Sequence, residues 1–393
     1  MWWGILRRLL SILLTIKTKI ENVIMKRILQ QDNIGSHYRA AIYQLMDKEI
    51  GCDFCFGDKW DDIKKMDYSS LKGKVTEVHN VIIPHGYYQK GMMGMLRKDY
   101  DNYIICGDIR CISTWLFLLC RKFFYPQKSV YLWAHGMLGK ESSAKRIAIR
   151  LFYSLATGGF IYNERSCKIM RENGIKERKL HPIYNSLDYD SQLPIRESLK
   201  PSDLYQEHFG NENKNIVFIG RLTKVKRFDL LLDAVALLKE RGEQVNVTFI
   251  GDGVERRNME QRVKELGIDK EIWFYGACYD EKTNAELIYN ADMCVSPGNI
   301  GLTAMHVLMF GCPAITNNDF DHQMPEFEAI QEGVTGAFFK AGDSNSLADT
   351  ISRWFSTHSD DREAVRSACY KEMDTKWNPH NQICIIKKVL EIK

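Results

Sequence analysis

The chain has 393 residues, 45% hydrophobic and 26% charged, which is long and apolar enough for two ordinary domains and excludes a disordered chain. Its net charge of +4 is uneven: residues 1–190 hold 30 Lys/Arg against 19 Asp/Glu, and residues 191–393 hold 24 against 31. A basic half points toward something anionic, and with no DNA- or RNA-binding motif the expected anion is a membrane surface or a phosphorylated ligand rather than nucleic acid.

Residues 1–24 open with MWWGILRRLLSILLTIKTK, which mixes Trp, Leu and Ile with Arg7, Arg8, Lys17 and Lys19. The uncharged run from Leu9 to Ile16 is too short to span a bilayer, and no small-residue cleavage site follows. One reading is a basic amphipathic helix lying in the membrane interface. The other is a helix packed on the protein itself, or an extension ahead of a start at Met25.

Residues 25–190 alternate apolar runs, expected as strands at 25–31, 52–57, 77–83, 102–106, 129–134 and 158–162, with helical segments near 38–48, 110–124, 141–155 and 164–173. Cys52 and Cys55 form a C-x-x-C inside one of these strands. With no second pair and an odd total of eleven, the cysteines are expected to be reduced thiols in a cytosolic protein. Residues 191–213 carry Pro194, Pro201, Ser191, Ser198 and Ser202 and read as a linker. Residues 214–372 alternate more cleanly: strands at 215–220, 245–253, 271–276 and 291–297, helices at 228–240, 254–267 and 281–290. Residues 373–393 are expected to form a C-terminal helix returning to the first domain. Continuously apolar strands alternating with helices indicate α/β domains, two doubly wound parallel sheets facing a cleft, with ligands beyond the carboxyl ends of the strands.

Two stretches suit a diphosphate. In GRLTKVKRFD a strand ends at Gly220, and Arg221 and Lys226 follow in the loop, where cations point into the ligand crevice. In SPGNIGLTAMHVLMFGCPAIT, Gly298, Asn299, Ile300 and Gly301 precede a short helix beginning near Leu302 and stopped at Gly311. Unpaired amides at such a helix start attract phosphate. Lys140, Lys145, Arg146 and Arg150 give the 141–155 helix a basic face, suited either to anionic lipid or to solvent. Asp-x-Asp pairs at Asp99/Asp101, Asp188/Asp190 and Asp319/Asp321 are too frequent to mark a metal site, and with two cations and a helix start available no metal is expected.

These stretches, with the GDG turn at 251–253, WFYG, and MPEFEAIQEGVTGAFF, together resemble the family 4 retaining glycosyltransferases of the GT-B fold over about 160 residues. GSHYRAAIYQL (35–45), YLWAHG (131–136) and IYNSLD (183–188) are similar more loosely. The resemblance implies a sugar transferred from a UDP- or GDP-sugar to a carbohydrate or lipid-linked acceptor, without a cofactor, in bacterial surface polysaccharide synthesis on the cytoplasmic side of the membrane. It implies that Arg221 and Lys226 grip the donor diphosphate, that His135 faces the donor sugar, that Gly276 lies near the base, and that Gly35 approaches both substrates. It implies that Glu328 is the acidic donor-binding residue, and where the motif departs from the family's, Asn299, or Glu326 and Glu328 from the PEFEAI loop, could supply the sugar contacts. The departure is in the family's Glu-x7-Glu motif, whose two positions hold Gly298 and His306. That departure leaves open a non-catalytic GT-B scaffold or a nucleotide-sugar epimerase on the same fold.

Overall fold

The computed structural model describes residues 27–61, 63–358 and 361–392. The N-terminal segment read above as a basic amphipathic helix lies outside them. The first sheet has eight strands: β1 (Ile28–Asp32), β2 (Cys52–Gly57), β3 (Val75–Ile83), β4 (Gly86–Lys90), β5 (Asn102–Cys106), β6 (Ser129–Ala134), β7 (Gly158–Ile161) and β8 (Leu180–Pro182). Their order is β4-β3-β2-β1-β5-β6-β7-β8, parallel except for the β3–β4 hairpin. The sequence reading missed β4 and β8, both short strands at sheet edges.

The second sheet has six strands: β9 (Lys214–Ile219), β10 (Val245–Ile250), β11 (Ile272–Gly276), β12 (Met293–Ser296), β13 (Ala314–Asn317) and β14 (Gly336–Phe339), in the order β11-β10-β9-β12-β13-β14 and all parallel. Its strands are apolar on both faces because helices cover both faces. Phe218, Val247 and Phe249 on the strands and Leu231, Ala304 and Leu308 on the helices belong to one buried core. In both sheets the order reverses beside the first strand, at β1/β5 and at β9/β12. At such switch points the loops beyond the strands diverge and leave a crevice.

The stretch read as a linker folds into two short helices, Tyr189–Ser198 and Leu204–Phe209. Tyr205 fixes the second by donating to the Leu287 carbonyl at 2.7 Å, so the polar composition there marks surface helices rather than open chain. The last helix, Pro379–Leu390, crosses back to the first sheet. Its Ile383 and Ile386 join the core formed by Ile42, Tyr43 and Met46 of helix Ala40–Ile50, and Lys387 pairs with Glu49 at 2.9 Å. Cys52 and Cys55 are buried free thiols whose pKa values burial raises. No helix among the described residues is long and apolar enough to cross a membrane.

Candidate functional site

The loop after β9 and the loop after β12 meet beyond the carboxyl ends of those strands. Lys226 donates to the Asn299 carbonyl at 2.6 Å and approaches that of Ile300 at 3.3 Å, so the two stretches singled out in the sequence touch. Burial lowers the Lys226 pKa to about 8; Cys294 and Glu326 oppose this and Arg221 reinforces it. Arg221 is exposed and has no ion-pair or hydrogen-bond partner among the described residues. Beyond them, Gly301 at φ +56° opens the helix Leu302–Met309, whose first amides have no partner within the helix. Thr303 on its first turn donates to the Ile219 carbonyl at 3.0 Å, fixing the helix start beside Gly220. Two cations and a helix start form a ready site for a diphosphate.

Gly298 is not simply an eroded position. It donates its amide to the Lys226 carbonyl at 2.8 Å, and a Cβ there would overlap the Val225 carbonyl oxygen. The loop is held from the other side by the buried Gln323. Its Oε1 accepts from the Ile300 amide at 3.0 Å and its Nε2 donates to the Gly298 carbonyl at 3.1 Å. Asn317 adds donations to the carbonyls of Pro297 and Gly298 at 2.8 and 2.9 Å. Sequence reading missed Gln323 and Asn317, because their role depends on a loop distant in sequence.

Facing this loop is the first domain. Asp32 at the end of β1 pairs with Arg39 at 2.5 Å and accepts from the Tyr43 hydroxyl at 2.8 Å, all three buried. The Arg39 guanidinium lies 4.4 Å from the centre of the Trp133 ring. Asp32, Arg39 and Trp133, with Asp108, Arg110 and His135, line a cavity of about 350 Å³ at the ends of β1, β5 and β6. His135 is exposed to the cleft and meets the Tyr162 ring edge-on at 4.9 Å. Protein on both sides of the cleft limits its hydration and lowers its pKa; Glu326 opposes the shift and Arg39 adds to it.

The short helix Pro325–Ala329 joins the two sides. Glu326 is 3% exposed; its Oε1 accepts from Asn185 at 2.7 Å and its Oε2 has no partner. It acts electrostatically on His135 of the first domain and on Lys226 of the second. Asn163 donates to the Pro325 carbonyl at 3.1 Å, and Arg165 pairs with Asp321 across the same seam.

Three of the expected site residues are held by protein contacts. Glu328 spends both carboxylate oxygens on the amides of Glu164 and Arg165, at 3.0 and 2.9 Å. It caps the first-domain helix Glu164–Glu172, and burial raises its pKa. Gly35 is buried under Tyr68 and Phe56, where a Cβ would collide with both rings, so Asn33 and Tyr38 reach the cavity in its place. His306 does not stand free: its Nε2 lies 2.9 Å from Glu281 Oε1, which also accepts from Gln192 at 2.7 Å. Gly276, at φ +93°, accepts from the Gly251 amide at 2.8 Å and turns the chain out of β11.

Each Asp-x-Asp member is already engaged. Asp99 and Asp101 bind Arg27, Asp188 caps a helix, Asp190 and Asp319 pair with His380 and His322, and Asp321 pairs with Arg165. No group of three His, Cys, Asp or Glu suited to a metal ion occurs among the described residues.

Residues 202–372 match the family described as glycosyl transferases group 1. The chain is 27% identical over 193 residues to the putative glycosyltransferase EpsD of Bacillus subtilis, covering 48% of each chain. It is 24% identical over 198 residues to the mannosylfructose-phosphate synthase of Agrobacterium fabrum, covering 48% of this chain and 42% of that one. It thus spans about half the length of these curated relatives. Among solved structures it is similar to Anabaena Alr3699/HepE in complex with UDP, with a TM-score of 0.68 at 16% identity over 93% of this chain and 99% of that one. The lipopolysaccharide outer core galactosyltransferase WaaB gives 0.67 at 16% identity with the same coverage. The chain has the GT-B fold, and its residues 202–372 match the family described as glycosyl transferases group 1.

Proposed function

We propose that this protein transfers a sugar from a nucleotide-diphosphate donor to a carbohydrate or lipid-linked acceptor, with retention at the anomeric carbon and without a metal. The observation that carries this reading is the contact of Lys226 with the Asn299 carbonyl at 2.6 Å, which joins the cationic loop after β9 to the helix start at Gly301. Arg221, Lys226 and the amides at Gly301 would neutralise the leaving diphosphate. The acceptor would occupy the Asp32–Arg39–Trp133 cavity beside His135, and holding both substrates in one cleft would supply much of the rate. Glu326 would supply the negative charge missing at Gly298 from its buried place in the seam between the domains. His306 and Glu281 together would take the ribose hydroxyls. UDP in the HepE structure favours a nucleotide donor, and a 25% identical Klebsiella pneumoniae protein described as lying in a cps region favours polysaccharide synthesis. A peripheral position on the inner face of the cell membrane fits a lipid-linked acceptor.

The test is a panel of nucleotide sugars screened by thermal shift, followed by product analysis with the best binder after EDTA treatment. A ligand that binds the native state raises its melting temperature by mass action. No shift with any UDP- or GDP-sugar would overturn the reading. Turnover restored only by Mg²⁺ or Mn²⁺ would overturn the metal-free part.

A further inference from the structure

Helix Ile112–Phe124, with the sequence ISTWLFLLCRKFF, is apolar on both sides. Ser113, Thr114, Phe117 and Leu118 face the core. Ile112, Leu116, Leu119 and Phe123, spaced by four, three and four residues, form one line along the outer face, and all are exposed. Phe123 is 70% and Phe124 74% exposed. The helix has 13 residues, too few to cross a bilayer.

The neighbouring helix Ser143–Leu155 continues the pattern. The two touch through Trp115 and Phe152, whose rings lie 4.7 Å apart. Ile147 and Leu151, one turn apart on the outer side, are 65% and 55% exposed. Neither helix contains an Asp or Glu, whereas Lys122, Lys145 and Arg150 are exposed on them and Arg97 beside them. An exposed helix face on a water-soluble protein normally carries mixed charges; contiguous apolar side chains on two helices that carry cations and no carboxylate mark a docking surface for something apolar and anionic, and Asp99 and Asp101 at its end are bound to Arg27.

The end of this face adjoins the start of the described chain. Arg27 stacks on Tyr100 at 5.2 Å, Tyr100 meets Tyr103, and Tyr103 packs on Phe117 of the helix. A groove of about 540 Å³ lined by Met93, Leu96, Arg97, Phe124 and Tyr125 opens at the same end. The sequence before residue 27 has the same character, Trp, Leu and Ile with Arg and Lys.

We propose that the outer face of helices Ile112–Phe124 and Ser143–Leu155 docks on an anionic lipid bilayer. Phe123, Phe124, Leu116, Ile147 and Leu151 enter the acyl boundary and Lys122 and Arg150 meet the head groups. The inner side of helix Ser143–Leu155 supplies Lys145, Ile149 and Phe152 to the cleft cavity. One helix therefore separates the bilayer from the cavity. Resting on the acceptor reading of that cavity, this places an acceptor carried on a lipid one helix width from His135.

The test is flotation of the full chain with vesicles of phosphatidylcholine, with and without phosphatidylglycerol. It compares the parent chain, the triple variant Leu116→Glu/Phe123→Glu/Phe124→Glu, and a variant lacking residues 1–24. The parent is expected to float with the anionic vesicles and to be released by salt. The triple variant is expected to lose at least about tenfold in vesicle affinity, with its melting temperature and nucleotide thermal shift unchanged. The milder variant Lys122→Glu/Arg150→Glu is expected to weaken only the anionic-vesicle binding. Full vesicle binding by the triple variant, or loss of binding only on deleting residues 1–24, overturns the proposal. A change of oligomeric state without a change in flotation also overturns it, by assigning the face to a second copy. Failure of the parent to respond to nucleotides bears on the transferase reading alone and leaves docking to be judged by flotation.

Discussion

The backbone at Gly298 lies against the Val225 carbonyl so closely that a methyl group at position 298 would overlap the oxygen. The motif that the sequence resembles would place a glutamate there, and the loop of this chain leaves no space for such a side chain. Gly298→Glu is therefore expected to reduce activity rather than restore it. The carboxylate must push Val225 and Lys226 apart, lowering stability by more than about 2 kcal/mol and weakening donor affinity. Thermal unfolding and calorimetric titration with UDP and GDP check this. A variant with higher turnover and unchanged melting temperature would refute it.

Glu326 is where the missing charge is expected to have moved. Glu326→Gln keeps the acceptor used by Asn185 and removes the charge, so the fold is expected to hold. Turnover is expected to fall about 10²-fold, as for loss of one electrostatic contact to a transition state. Affinity for the free nucleotide diphosphate is expected to change little. Unaltered turnover would remove Glu326 from the reaction.

Lys226 links pH to donor binding. Its pKa is about 8 against an ordinary value of about 10.4, because burial disfavours the ammonium. Between these two values the unfolded chain binds more protons at this site than the folded one, so this site's contribution to stability rises with pH across that window. A diphosphate requires the ammonium, so binding should take up a proton and weaken as pH rises above about 8. Titration near pH 8.5 in buffers of different ionisation enthalpy measures the uptake. It should vanish in Lys226→Met, and a buffer-independent heat in the parent chain would contradict the assignment.

His306 and Glu281 form the second departure from the motif. Burial pushes the Glu281 pKa up, but hydrogen bonds from His306 and Gln192 outweigh it and the net shift is downward. A lowered carboxylate pKa adds stability that is present above the unfolded value, about 4.3, and is lost as pH falls through the folded one. His306→Ala should flatten the fall of melting temperature below about pH 4.3 and weaken nucleotide binding. His306→Glu, which restores the motif, sets two carboxylates together and should cost about 1 kcal/mol or less after solvent screening, relieved in acid. Equal melting temperatures for the parent and both variants across that range would dismiss the pair.

The strands and helices were legible because each has its own period. The apolar runs NIVFIG and VNVTFI read as buried parallel strands, and GRLTKVKRFD and SPGNIGL as the loops beyond them, where Gly220 and Gly301 adopt positive-φ backbone that glycine permits without steric cost. The short edge strand Gly86–Lys90 was not legible, because it has only five residues, two of them exposed, and its pairing with β3 supplies most of its definition. Side-chain positions were legible only where one loop suffices, as for Arg221 and Lys226 in the loop after β9.

Tertiary structure decided the rest. PEFEAI offers two glutamates two residues apart, and nothing local separates them. Contact with the first domain turns Glu328 onto the amides of Glu164 and Arg165 and leaves one oxygen of Glu326 without a partner. Likewise His306 acquires its carboxylate from Glu281 on another helix, and Gln323 grips a loop 23 residues away. Local sequence fixes backbone conformation through sterics and periodicity, but the charge a side chain meets depends on which distant elements the core packs beside it.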